Sequence, residues 1–127
     1  MGYTVQSQYV TGTWVPTYTG FTGGSEPTVT IAEYYLTGKV CNARLAASAG
    51  TSNATSFTVT LPFPAASTGQ QNFTILVTNG GTLQTTPGRL ATRVGSNIAD
   101  IYLNTGTGTF TASGNKNAVF NITYITT

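Results

Sequence analysis

Residues 57–65 read FTVTLPFPA, and this stretch carries the pattern that decides the fold. The apolar residues at positions 57, 59 and 61 alternate with threonines, which is the period of a β-strand with one face in the core and one in water. Two prolines follow, and proline ends a strand because it lacks the N–H that a hydrogen-bonded ladder requires. The stretch therefore predicts a half-buried strand that stops at a turn.

The same alternation recurs along the chain at intervals of about 10 to 15 residues, which is typical of a sandwich or barrel. Further strands are predicted at 29–36, 73–77, 98–103 and 119–125, and the Ala-rich segment 43–49 has flanks that favour a strand over a helix. Threonine, a β-branched residue suited to pleated surfaces, fills roughly a fifth of the chain. We expect an all-β protein, an antiparallel β-sandwich of the jelly-roll kind over residues 13–127, preceded by an extended arm at 1–12.

Charge and composition exclude several classes of partner. Only 6% of the 127 residues are charged and the net charge is +2, whereas ordinary proteins carry about 25% charged residues. The basic side chains are scattered, so they form no surface that could displace counterions from a nucleic acid. The sequence has no run of 18 apolar residues, and MGYTVQSQYV lacks the features of a signal peptide. We therefore expect no nucleic-acid partner, no membrane insertion and no Sec export.

The residues that carry most catalytic chemistry are missing. The chain has no histidine, one cysteine and three carboxylates, Glu26, Glu33 and Asp100. This excludes Ser-His-Asp and Cys-His catalysis and a Cys-rich zinc site within one chain. Glu33 and Asp100 could form the two-carboxylate pair of a glycosidase. The favoured interpretation is that each pairs with Arg44, Arg89 or Arg93, or is a polar group inside an intersubunit contact. We expect no enzyme, no cofactor and no metal, and we expect Cys41 to be a small buried residue.

Three predicted strands, the last of them at 119–125, are apolar on both faces, which a simple sandwich does not require. A strand in a two-layer sandwich shows one face to water, so a strand with two apolar faces needs a second cover. Residues 98–103 show this character, and in residues 29–36 the apolar side chains fall on both sides: Val29, Ile31 and Tyr35 on one, Ala32, Tyr34 and Leu36 on the other. We interpret the cover as another copy of the chain, with a homotrimer preferred.

Four segments in order resemble a module of tailed-bacteriophage tail fibres and receptor-binding proteins: WVPTYTGFTGG (14–24), YYLTGKVCNARL (34–45), FTVTLPFPA (57–65) and VFNITYITT (119–127). The resemblance rests on Trp14, Pro16, Thr17, Gly20, Tyr34, Gly38, Lys39, Leu61 and Pro62. It implies a trimeric β-sandwich on the virion surface, made in the host cytoplasm, that binds glycans or proteins of the host envelope. It also implies that the Gly38-Lys39 turn joins two long strands.

Aromatic residues are the candidate contacts for a ligand or a subunit: Trp14, Tyr18, Phe21, Tyr34, Tyr35 and Tyr102. Such rings can stack on sugars or bury roughly 150 to 250 Å² each in packing, and packing is the favoured role of Trp14. Loops at 20–26, 47–55, 79–88 and 104–108 could carry recognition, with Tyr3, Tyr9, Tyr18 and Tyr102 as aromatic contacts. Two functions remain open, an adhesin that binds the host surface and a capsid decoration protein whose arm holds other virion proteins.

Overall fold

The computed structural model describes residues 9–127, and the regular secondary-structure elements in that range are all β-strands. The strands are β1 Tyr9–Thr13, β2 Tyr18–Thr19, β3 Thr28–Thr37, β4 Val40–Ser48, β5 Gly50–Thr51, β6 Phe57–Thr60, β7 Asn72–Asn79, β8 Thr82–Leu83, β9 Gly88–Thr92, β10 Ile98–Tyr102 and β11 Asn115–Ile125. Each strand predicted from alternation is present, including β4 over the Ala-rich segment. Across residues 9–127, no helix is long and apolar enough to cross a membrane.

All strand pairs are antiparallel and join into one sheet with the order β1-β3-β4-β11-β7-β9-β10-β6-β2; β5 also pairs with β11, and β8 with β7. The sheet curls, because side chains from strands far apart in this order meet in one core. The all-β antiparallel class expected from the sequence is confirmed. The jelly-roll topology and the trimer stay predictions.

The core lies inside the curl and follows the alternation of the strands. On β4 the buried side chains are Cys41, Ala43 and Leu45, and they pair in register with Tyr124, Ile122 and Phe120 of β11. Opposite them the core is completed by residues of the other strands, among them Phe57, Val59, Ile75, Leu90 and Ile101. Cys41 is fully buried as expected, and burial raises the pKa of its thiol.

Part of the segment expected to form an arm belongs to the sheet. Strand β1 pairs with β3, with Tyr9 opposite Thr37 and Thr13 opposite Glu33. Residues 1–8 lie outside the described part of the chain. Gly12 of β1 lies beneath the Tyr34 ring, whose hydroxyl oxygen is 2.5 Å from the position that a Cβ at Gly12 would occupy. A side chain at position 12 would therefore displace this ring.

Strands β3 and β4 form the long hairpin, with its turn at Gly38 and Lys39. The register of the hairpin shifts between Val29 and Ile31, which marks a β-bulge. The bulge turns Val29 toward the core, whereas Ile31 and Tyr35 stay on the outer face. The prediction that these three side chains share one side was therefore wrong for Val29, because one extra residue reverses the alternation.

Candidate functional site

The sheet has a gap where β7 and β11 diverge. Strand β11 is paired along one side by β4 and β5, but on its other side it pairs with β7 only from Lys116 to Val119. The first residues of β7, Asn72–Ile75, pair only with β9 on the opposite edge. Beyond Val119 the two strands therefore leave a gap between them.

A side chain closes the far end of this gap. The Ile125 amide donates to Oε1 of Gln71 (2.7 Å), and Nε2 of Gln71 donates to the Ile125 carbonyl (3.0 Å). The Gln71 side chain thus reproduces the two hydrogen bonds that a neighbouring strand would make. The Ala66 amide donates to the same Ile125 carbonyl (2.9 Å). The gap is therefore bounded by strand pairing at one end and by Gln71 at the other.

The gap holds a groove of about 420 Å³, here named the β7–β11 groove. Its floor is lined by Leu45, Ile75 and Phe120, which belong to the buried core. Its rim is formed by Arg44, Ala46, Thr74, Leu76, Pro87, Val119 and Asn121. The volume lies within the roughly 300 to 1,000 Å³ range of small-ligand sites, which are also mostly apolar with a few polar groups.

Backbone polar groups face into the groove from both sides. Residues of a strand alternate in the side to which they point their amide and carbonyl groups. Because Thr126 donates to Lys39 on the β4 side (2.8 Å) and Ile125 bonds Gln71 on the other side, the backbone of Asn121 faces β7. Continuing the β7–β11 register places Thr74 opposite Asn121. These two residues would form the next hydrogen-bonded pair, and the divergence leaves their N–H and C=O groups facing the groove.

Two residues of the rim, Arg44 and Asn121, are bonded to neighbouring polar side chains. Arg44 donates to Glu33 (3.3 Å), and Nδ2 of Asn42 donates to Oδ1 of Asn121 (2.9 Å) and to Oγ1 of Thr123 (3.1 Å). The Arg44 side chain is 50% exposed, so the worth of its ion pair is small. Within residues 9–127 only Nη1 of Arg44 has a partner, so its other donors are available to a ligand.

Four of the predicted contact residues pack against the core. The Trp14 indole N–H donates to the Thr60 carbonyl (2.9 Å), and Tyr18 and Phe21 meet edge to face at 5.7 Å. The Tyr34 ring meets Phe63 edge to face at 4.9 Å. The Tyr18 hydroxyl is buried with no partner in the described residues, and burial raises the pKa of Tyr18 to about 12.

The other two predicted contacts lie on the outer surface, apart from each other. Tyr35 is 42% exposed and stacks on Tyr9 with ring centroids 6.3 Å apart. Tyr102 lies under the Arg89 guanidinium at 4.3 Å, a favourable cation–π arrangement. Tyr3 lies outside the described residues. The six predicted contacts are therefore not brought together into one site.

The groove was missed by sequence reasoning. Of the four loops expected to carry recognition, only 79–88 reaches it, through Pro87. Its other members were assigned to ordinary strand faces, since a local pattern does not show where two distant strands separate. The one sequence signal in the strand itself is Leu76, an apolar residue at a position that the alternation of 73–77 assigns to the outer face. In the structure its side chain is 53% exposed.

The carboxylates of Glu33 and Asp100 are each paired with an arginine, as expected. Arg93 donates to both carboxylate oxygens of Asp100 (2.9 and 2.8 Å), which raises the pKa of Arg93, and Glu33 pairs with Arg44. The described residues contain no group of three or more His, Cys, Asp or Glu side chains that could hold a metal. Neither a scan against protein-family models nor a search of curated proteins gives a match for this chain.

Proposed function

We propose that this chain is a non-enzymatic recognition domain of a bacteriophage virion surface, and that it binds an acetamido sugar of the host envelope in the β7–β11 groove. The virion assignment rests on the tail-fibre resemblance of the segments around Trp14, Tyr34, Leu61 and Val119. The ligand assignment rests on one observation, the backbone groups of Thr74 and Asn121 that face an apolar groove.

An acetamido group suits this arrangement. Its N–H can donate to one backbone carbonyl and its C=O can accept from one backbone N–H, which gives partners to two of the four groups that Thr74 and Asn121 direct into the groove. Its methyl group fits the apolar floor at Ile75 and Phe120. The exposed donors of Arg44 lie at the same rim and can bind hydroxyl or carboxylate groups of the sugar.

The test uses a matched pair of ligands. Isothermal titration calorimetry with tetra-N-acetylchitotetraose and with cellotetraose, which has a neutral hydroxyl in place of each acetamido group, separates recognition of the acetamido group from recognition of the sugar ring. We expect binding of the acetylated ligand only, with amide NMR shifts at Thr74 and Asn121. Binding of both ligands alike would overturn recognition of the acetamido group, and a silent panel of N-acetylated glycans would overturn the glycan assignment and favour the decoration role.

A pair of leucine variants tests the location. Leu76 and Leu83 are similarly exposed, at 53% and 59%, but only Leu76 lies on the groove rim. Leu76→Lys places a long cationic side chain at the groove and should weaken binding by about tenfold or more, equivalent to about 1.4 kcal/mol. Leu83→Lys should bind like the wild type. Equal affinities for the two variants would place the ligand elsewhere.

The alternative role, a capsid decoration protein held by its N-terminal arm, calls for a deletion that spares the sheet. Removal of residues 1–12 would also remove most of β1, so residues 1–8 are the ones to delete. Loss of incorporation into particles, with glycan binding absent, would support decoration. Retained incorporation would remove the support for an arm.

A further inference from the structure

Strand β1 forms one edge of the sheet, and half of its backbone groups point away from it. The Trp14 amide donates to the Ala32 carbonyl (3.1 Å), and this pair continues the β1–β3 register. Since hydrogen-bonded and non-bonded pairs alternate in an antiparallel ladder, Val10 and Gly12 also bond β3. The amides and carbonyls of Tyr9, Thr11 and Thr13 therefore point outward, where no strand of residues 9–127 pairs with them.

This edge lacks the features that protect an edge strand. Its sequence YVTGT contains no charge and no proline, which are the usual means of preventing edge-to-edge pairing. Large apolar side chains also gather here: Tyr9 is 62% exposed, Val10 44% and Val15 88%. An unprotected edge flanked by exposed apolar residues is typical of a surface that another strand covers.

We propose that β1 pairs antiparallel with β1 of a second copy of this chain, about a two-fold axis at Thr11. The outward-facing residues then meet as Tyr9 with Thr13, Thr11 with Thr11, and Thr13 with Tyr9, each pair exchanging two hydrogen bonds. The two sheets become continuous through the β3-β1 pairs of both copies.

The side chains of β1 argue for a second copy as the occupant. In this register Val10 lies opposite Gly12 of the second copy. Gly12 has no side chain and is covered by the Tyr34 ring, so the second copy offers an aromatic surface to the exposed Val10. The contact is repeated by symmetry, as an isologous interface requires. No like charges meet, because β1 carries none.

A two-fold contact of this kind joins two copies into a dimer, whereas the sequence favours a trimer. Light scattering coupled to gel filtration should give twice the 13.2 kDa of one chain. A wild-type monomer at about 100 μM, a concentration at which even weak interfaces associate, would overturn the proposal. A trimer that the β1 variants below leave unchanged would overturn it as well.

Proline and valine at position 11 provide the matched variants. Thr11→Pro removes an N–H that points away from β3, so the β1–β3 ladder keeps its bonds and only the intermolecular pairing is lost. Thr11→Val keeps the N–H and the β-branched shape. We expect Thr11→Pro to be monomeric and Thr11→Val to be dimeric, and a dimeric Thr11→Pro would refute β1 pairing.

Hydrogen exchange on the wild-type protein tests the same contact without a substitution, should Thr11→Pro fail to fold. The amides of Thr11 and Thr13 should exchange about tenfold or more slowly when the protein concentration is raised into the dimeric range, whereas the Val10 and Gly12 amides, which bond β3, should change less. Fast exchange at Thr11 and Thr13 at every concentration would contradict the proposal.

Discussion

The hydroxyl of Tyr124 fastens the proline-flanked segment at Phe63 to the central strand β11. It donates to the Phe63 carbonyl (2.9 Å) and accepts from the Phe63 amide (3.1 Å). The Tyr124 side chain is fully buried, and this burial raises its pKa above the usual tyrosine range. We predict that Tyr124→Phe, which removes this single oxygen atom, lowers the free energy of unfolding substantially.

The magnitude follows from the two hydrogen bonds. Each is worth about 1 kcal/mol net, and a buried backbone group left without a partner costs about 1 to 3 kcal/mol. Since the Phe63 backbone is only partly buried, water can replace part of the loss. We expect a decrease of about 2 to 3 kcal/mol, which is a large fraction of the roughly 5 to 15 kcal/mol of a typical domain. The melting temperature should fall by roughly 6 to 12 °C.

Urea unfolding followed by fluorescence of Trp14, the one tryptophan of the chain, measures the change by linear extrapolation. The control is Tyr35→Phe, which removes the same atom from a ring that is 42% exposed and should change stability by less than about 0.5 kcal/mol. If Tyr124→Phe destabilises no more than Tyr35→Phe, then the Tyr124–Phe63 contact does not stabilise the fold and the reasoning is refuted.

Two further predictions concern a buried phenol and a buried glycine. The pKa of Tyr18 is raised to about 12 in the folded protein, above its usual value near 10, so its contribution to stability is present below pH 10 and is lost as pH rises toward 12. The wild type should therefore lose stability relative to Tyr18→Phe between pH 10 and 12; parallel curves from urea titrations across this range would contradict the assignment. At Gly88 an added Cβ would meet a Val77 methyl group and lie 2.7 Å from the Tyr102 carbonyl oxygen, so Gly88→Ala should cost about 1 to 3 kcal/mol. Gly69→Ala, with no atom within 4 Å of the new Cβ, should stay within about 0.5 kcal/mol, and equal melting temperatures for the two variants would show that the packing at Gly88 is not tight.

The sequence predicted the strands whose apolar residues alternate, but it missed strands that lack this alternation. Strand β9, Gly88–Thr92, was absent from the prediction because Pro87-Gly88 resembles a turn and GRLAT has too few alternating positions. Strand β1 was assigned to an arm because YVTGT lacks a core pattern. Strand β1 is held by pairing with β3, and strand β9 by pairing with β7 and β10. This pairing has no pattern of its own in the residue types of the two strands.

In the candidate site, too, some features could be predicted from residue types and others could not. The aromatic residues selected from the sequence are large and apolar, and packing was already the favoured role of Trp14. The β7–β11 groove depends instead on the separation of two strands after Leu76 and Val119. Its polar groups are backbone N–H and C=O groups, which every residue carries, so residue types alone do not reveal them.

The sequence by itself determined the all-β class, the position of the long strands and the absence of histidine chemistry, because alternation and composition are local properties of the chain. Only the tertiary structure decided which strands are neighbours, where β11 loses its partner, and which side of β1 stays open. Those features arise from contacts between residues far apart in sequence, such as Gln71 with Ile125. Such contacts form only when the folded sheet brings distant parts of the chain together.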